Sequence, residues 1–148
     1  MSDLRELYQE LILDHGREPR NFRRLEGATH EALGHNPLCG DRLQVFLLIE
    51  GETVREVAFV GTGCAISTAS ASLMTEALKG KSLAEAETIF RRFHDMLTGE
   101  GAPDAARLKK LAVFAGVRDF PIRVKCATLP WHTFHAALAR KSEAVSTE

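Results

Sequence analysis

Two strand-like runs joined by a two-residue link constrain this chain more than any other feature. Residues 42–50 (RLQVFLLIE) alternate Leu43, Val45, Leu47 and Ile49 with other residues, and 53–60 (TVREVAFV) follow directly after Gly51-Glu52. So short a link admits an antiparallel hairpin. Phe46 and Leu48 make the second face of the first strand partly apolar. Residues 28–34 supply a short edge strand. From there to the C-terminus the apolar period changes from two to three and four. A helix rich in Ala and Ser runs from Cys64 to about Lys79, and its small side chains allow a close neighbour. Ser82-Leu83-Ala84-Glu85 is a capping box for the next helix, whose core face is Leu83, Ala86, Ile89, Phe90, Phe93 and Leu97. Pro103 suits the first turn of a third, with Leu108, Leu111, Ala112 and Ala115 inward and Gly116 at its end. An irregular lead-in over 117–125 precedes a last helix over 127–140. Ahead of the strands, Leu4, Leu7, Tyr8, Leu11 and Ile12 mark a helix over 3–14, ended by Gly16 and Pro19.

Strands followed by helices predict an α+β fold with the N-terminal helix first. A small antiparallel sheet of about three strands is packed on one side by several helices. The 148 residues fit one domain, 1–148, with enough core to stand without disulfides. The tail, about 141–148 (SEAVSTE and its neighbour), is expected to be disordered. A formal net charge of −1 leaves no basic stripe for nucleic acid. The apolar run VFLLI is far too short to span a bilayer. The charged start MSDLRELYQE lacks the apolar stretch of a signal peptide. A cytoplasmic protein is therefore expected, with no nucleic-acid or membrane partner.

Three cysteines, an odd number, argue against a disulfide framework. All three fall at expected element boundaries rather than on apolar faces. Cys39 lies in HNPLCGDRL, between a proline-bearing turn and a strand. Cys64 follows Gly-Thr-Gly and opens a helix, and Cys126 is also expected to open one. A helix N-terminus favours thiolate over thiol, and the thiolate is both nucleophile and metal ligand. In extended chain Cys39 and Asp41 share a face. If the three loops converge, they build a Cys3Asp site that suits tetrahedral zinc or iron–sulfur units. Buried, inert thiols are the alternative.

Four segments carry a resemblance: YQELILDHGREPRNF at 8–22, NPLCGD at 36–41, GTGCAIS at 61–67 and RVKCATLPW at 123–131. In order and nearly throughout its length, the chain resembles the U-type iron–sulfur cluster assembly proteins, the IscU/SufU family with a SufE/NifU-like fold. It is more similar to the SufU branch. Lys125 stands where IscU scaffolds have histidine, and the stretch around 80–116 looks like the SufU insertion. An LPPVK-type chaperone segment is replaced by DFPIRVK.

The resemblance implies a zinc site of Cys39, Asp41, Cys64 and Cys126. It implies a SufS-type cysteine desulfurase, a pyridoxal-phosphate enzyme, as partner, and a downstream iron–sulfur scaffold as recipient. Cys39 would be the sulfur acceptor: its Pro/Gly loop can move, and a partner side chain such as histidine would release it from the metal. Asp41 would be the weaker ligand that tunes lability. Lys125 would assist, by lowering the Cys126 pKa or pairing with Asp41. A scaffold holding a transient [2Fe–2S] cluster or iron on the same residues is the alternative. An independent Cys–His enzyme using His35 and a purely structural zinc domain are more distant ones.

His15 is expected to serve the first helix end. Arg17, Arg20, Arg23 and Arg24 either dock a partner or solvate a loop. His35 is a substitute ligand. His94, His132 and His135 are expected on helix surfaces, and Trp131 and Phe134 against the sheet.

Overall fold

The computed structural model describes residues 2–38, 40–99, 104–139 and 145–146. Helix α1 (Ser2–Arg17) leads into strands β1 (His30–Asn36), β2 (Asp41–Glu50) and β3 (Thr53–Thr62). Helices α2 (Ala65–Leu78), α3 (Leu83–Thr98) and α4 (Ala105–Leu108) follow, then a 3-10 segment (Lys109–Val117), α5 (Pro121–Leu138) and β4 (Val145–Ser146). This is the α+β arrangement read from the sequence, with three antiparallel strands and a short fourth, β4, added in parallel beside β1.

Sheet order is β3-β2-β1-β4. Glu50 pairs with Thr53 across the Gly51-Glu52 link. Gly51 has φ +59, the left-handed first position of a type II′ hairpin turn, which matches the strands' own twist. The pleat sends Ala32, Val45, Leu47, Val57 and Phe59 to the inner face, where α2 and α5 cover them. On the other face Leu25, Phe46 and Ala58 form a small separate cluster. The helices therefore lie on one side, as the alternation requires, and the loop after α1 shields one end of the reverse face.

Two close approaches fix the helices on the sheet. A Cβ at Gly34 would collide with Thr133 Oγ1, so β1 and α5 pack backbone-near. Between α2 and α5, Ser70 donates to the Ala127 carbonyl and accepts from the Trp131 indole N–H at 3.1 Å. The small residues of α2 allow this approach, and the hydrogen bonds settle the polar groups it buries. Trp131 stacks on Phe93 of α3 at 4.6 Å and belongs to the core that α5 shares with the inner face of the sheet. Trp131, Phe93, Phe114 and Phe134 are fully buried, each contributing roughly 1.5–3 kcal/mol of transfer free energy.

Several boundaries differ from expectation for identifiable reasons. Gly16 does not end α1: it lies inside the helix, and its missing Cβ lets α1 come close to Ala65 at the start of α2, whose Cβ is 3.3 Å from where one would stand. The third expected helix is one turn, α4, broken at Lys109 (φ +53) and continued as 3-10. Pro103 lies outside the described residues. Within the expected tail, Val145 and Ser146 pair in parallel with Gly34 and His35. The rest of that segment lies outside the described residues.

The largest correction concerns Cys126. Pro121, with its φ already helical, starts α5 at N1. Residues 121–125 are thus helix rather than irregular chain, and Cys126 is the sixth residue of α5. The field of a helix terminus fades within the first turn, so that argument for a Cys126 thiolate does not hold.

Candidate metal centre

Asp41 opens β2 and pairs with Asn36, the last residue of β1. Both are buried, at 1% and 0% exposure. Between them runs the loop 37–40. Asn36 starts it by accepting the Leu38 N–H on Oδ1 at 3.0 Å. Gly40 leaves it with φ +71, a conformation that L side chains resist. Cys39 lies outside the described residues, two positions before Asp41 in sequence.

Cys64 is the N-cap of α2, with extended backbone (φ −71, ψ 168). Its sulfur accepts the Ser67 N–H at 3.4 Å, so the sequence expectation of a thiol at a helix start holds here. The Cys64 N–H donates to Asp41 Oδ1 at 2.8 Å. Asp41 Oδ2 faces the Cys64 sulfur at 3.8 Å. The carboxylate is thus divided, with one oxygen anchoring the backbone and the other turned toward a thiol. Gly63 makes this possible, because a Cβ there would lie 2.8 Å from Asp41 Oδ1 and 2.5 Å from Ser67 Oγ.

Cys126 reaches the same place from α5 and is 3% exposed, whereas Cys64 is open to solvent. One ligand atom each of Asp41, Cys64 and Cys126 lie within 4.8 Å of one another, and among the described residues this is the sole group of three such donors. On one tetrahedral ion a carboxylate oxygen at about 2.0 Å and a thiolate at about 2.3 Å stand roughly 3.5 Å apart, and the Asp41–Cys64 separation of 3.8 Å is a few tenths longer. Two thiols and one buried carboxylate therefore fit a zinc-like ion, with at least one position left for a further ligand.

Other candidates fall elsewhere. His35 pairs with Arg42 on the reverse face of the sheet and is not among the converging donors. Lys125 precedes Cys126 in α5 and is half-buried. His15 is 1% exposed, with Nδ1 2.7 Å from Ser72 Oγ and Nε2 3.8 Å from Glu76. Burial, then the Arg20 charge, pushes its pKa down, so it is neutral at neutral pH. Ser72 Oγ also accepts the Arg20 N–H at 2.8 Å. The Glu76 carboxylate beside Nε2 favours the imidazole proton on that nitrogen, which leaves Nδ1 to accept from the Ser72 hydroxyl. Arg20 pairs with Asp14, Arg23 with Glu56, and Arg24 covers the Phe46 ring. Three of the four loop arginines thus serve intramolecular contacts. Asn36, Gly63 and Ser67 were given no role from the sequence, although they lie within the segments NPLCGD and GTGCAIS that carry the resemblance.

The profile of the NifU-like N-terminal domain matches residues 7–127. The chain belongs to this family. It is 37% identical over 143 residues to the zinc-dependent sulfurtransferase SufU of Bacillus subtilis, covering 95% of each chain. It is 37% identical over 144 residues to the iron–sulfur cluster assembly scaffold protein IscU of Streptococcus pyogenes, covering 97% of this chain and 90% of the relative. A crystal structure from Fervidobacterium islandicum AW-1, assigned as an iron–sulfur assembly scaffold for the SUF system, superposes with TM-score 0.83 at 35% identity. It covers 87% of this chain and 94% of that one. Family membership makes this an iron–sulfur cluster assembly protein of the SufU/IscU kind. Among the described residues no helix is long and apolar enough to cross a membrane.

Proposed function

We propose that Cys39, Asp41, Cys64 and Cys126 bind one zinc ion, and that Cys39 accepts sulfur from a SufS-type pyridoxal-phosphate cysteine desulfurase. The observation that carries this reading is the meeting of Asp41, Cys64 and Cys126, from β2, α2 and α5, with donor atoms within 4.8 Å. Cys39 stands two residues before Asp41 in the sequence, a tether of about 7 Å at most, and is the proposed further ligand. The similarity to a zinc-dependent sulfurtransferase supports the choice of metal and of reaction.

Bound zinc would keep the thiols deprotonated at neutral pH. The chain's own groups do the rest. Asp41 is held by the Cys64 N–H, and the Ser67 N–H steadies negative charge on the Cys64 sulfur. Lys125, next to Cys126 in α5, would assist if its ammonium turns toward the thiol. The Cys39 thiolate attacks the outer sulfur of the donor's persulfide. The donor's S–S bond breaks, a new S–S bond forms on Cys39, and the donor cysteine leaves as thiolate, with no net redox change. A second exchange of the same type hands the sulfur to a downstream scaffold. The protein would act in the cytoplasm, where the desulfurase works.

The test is metal analysis combined with desulfurase stimulation, on wild type and Cys39→Ser. We expect one tight zinc in the wild type, and loss of sulfur acceptance with the fold retained in the variant. Persulfide still accepted by Cys39→Ser would remove Cys39 from its role. The equal identity to an IscU scaffold supports a second reading, a transient [2Fe–2S] cluster on the same residues. A brown colour stable after anaerobic reconstitution and transferable to an apo-acceptor would favour it over zinc.

A further inference from the structure

Three of the six histidines gather where α3 meets the second half of α5. Phe90 stands among them. It stacks on His135 at 5.1 Å and meets His132 edge-on at 5.7 Å, with His94 6.2 Å away. The His94 and His132 rings lie 5.4 Å apart at 79°. His135 Nε2 is 3.5 Å from Glu87 Oε2. His94 and His132 are half-buried, and His135 is exposed.

We propose that His94 and His132 form a second cation site, bridging α3 and α5, for a divalent d-block ion, with His135 and Glu87 as adjacent donors. Two imidazoles on one ion at about 2.1 Å, at a tetrahedral or slightly wider angle, hold their ring centres roughly 5.2–5.5 Å apart. The observed 5.4 Å falls in that range. Among the described residues no protein group hydrogen-bonds the His132 ring nitrogens, while His94 Nδ1 lies 3.4 Å from Thr98 Oγ1 and leaves Nε2 for an ion. Burial, followed by the His94 and His135 charges, lowers its pKa, which keeps a lone pair available near neutrality.

The four donors do not all meet in the present side-chain arrangement. Remaining positions on the ion fall to water or, after side-chain rotation, to His135 or Glu87. Nitrogen and oxygen donors without thiolate make this a weaker, exchangeable site that prefers nickel, copper or zinc to magnesium or calcium. His132 lies six residues beyond Cys126 on α5, about 9 Å along the axis, so the two sites are separate.

Nickel titration of the protein loaded beforehand with one equivalent of zinc, followed by calorimetry, tests the site. The wild type should take up one nickel with micromolar affinity beyond any ion already held. His94→Gln/His132→Gln should lose that uptake by roughly tenfold or more while keeping the wild-type circular dichroism and its cysteine-bound metal. Phe90→Leu, which removes the ring but no donor, should still bind. Absence of nickel uptake in the wild type, or equal uptake by the double variant, would show that the cluster is aromatic packing alone. One equivalent of zinc on the cysteine site keeps nickel uptake by those thiolates out of both results.

Discussion

Asp41 carries two tasks on two oxygens, and substitution can separate them. Asp41→Asn keeps an oxygen for the Cys64 N–H but removes the anionic donor. It should weaken zinc binding while leaving the metal-free protein nearly as stable as wild type. Asp41→Ala also orphans that N–H and should cost a further ~1–3 kcal/mol in urea unfolding of the metal-free form. Gly63→Ala forces a methyl against Asp41 and Ser67; ~1–3 kcal/mol of destabilisation is expected, with weakened zinc binding. His15 gives a pH signature. Its folded pKa is depressed below the ordinary 6.5, so as pH falls through 6.5 the unfolded chain takes up protons first. Stability is then lost with falling pH until the folded form also protonates. His132 is shifted the same way, so His15→Gln should flatten the slope below pH 6.5 in part, as read from urea midpoints against pH.

Among elements, α5 matters most, because it touches the sheet, α2 and α3 and also delivers Cys126. Its seat on β1 depends on the missing Cβ of Gly34 opposite Thr133. Gly34→Ala should destabilise by ~1–3 kcal/mol. Thr133→Ala should relieve part of that, a non-additivity visible in a double-mutant cycle. α5 also shows where sequence reading stops. The sequence places the last helix over 127–140, through Pro130, and leaves 117–125 irregular, whereas Pro121 already belongs to that helix. Pro121 is at N1, where its ring costs nothing. Pro130 is tolerated because the helix is packed on three neighbours. By contrast, the hairpin, the capping box at Ser82 and the cap at Cys64 were legible, since their signals are local: turn residues, a two-residue period and a capping hydroxyl.

For the molecule as a whole, the core spans every major element around fully buried aromatic residues. Zinc removal by a chelator should therefore lower the melting temperature yet leave cooperative unfolding and the far-ultraviolet spectrum in place. Collapse on chelation would mean that the metal holds the fold. The sequence by itself determined the α+β class, the hairpin, the placement of helices on one face of the sheet, and Cys64 at a helix start. Each depends on interactions between residues a few positions apart. Only the tertiary structure decided that Cys126 reaches Asp41 and Cys64 from inside a helix, that α1 runs on through Gly16, and that three histidines gather around Phe90. Those outcomes depend on contacts between segments distant in the chain, and a linear pattern of polarity carries no record of them.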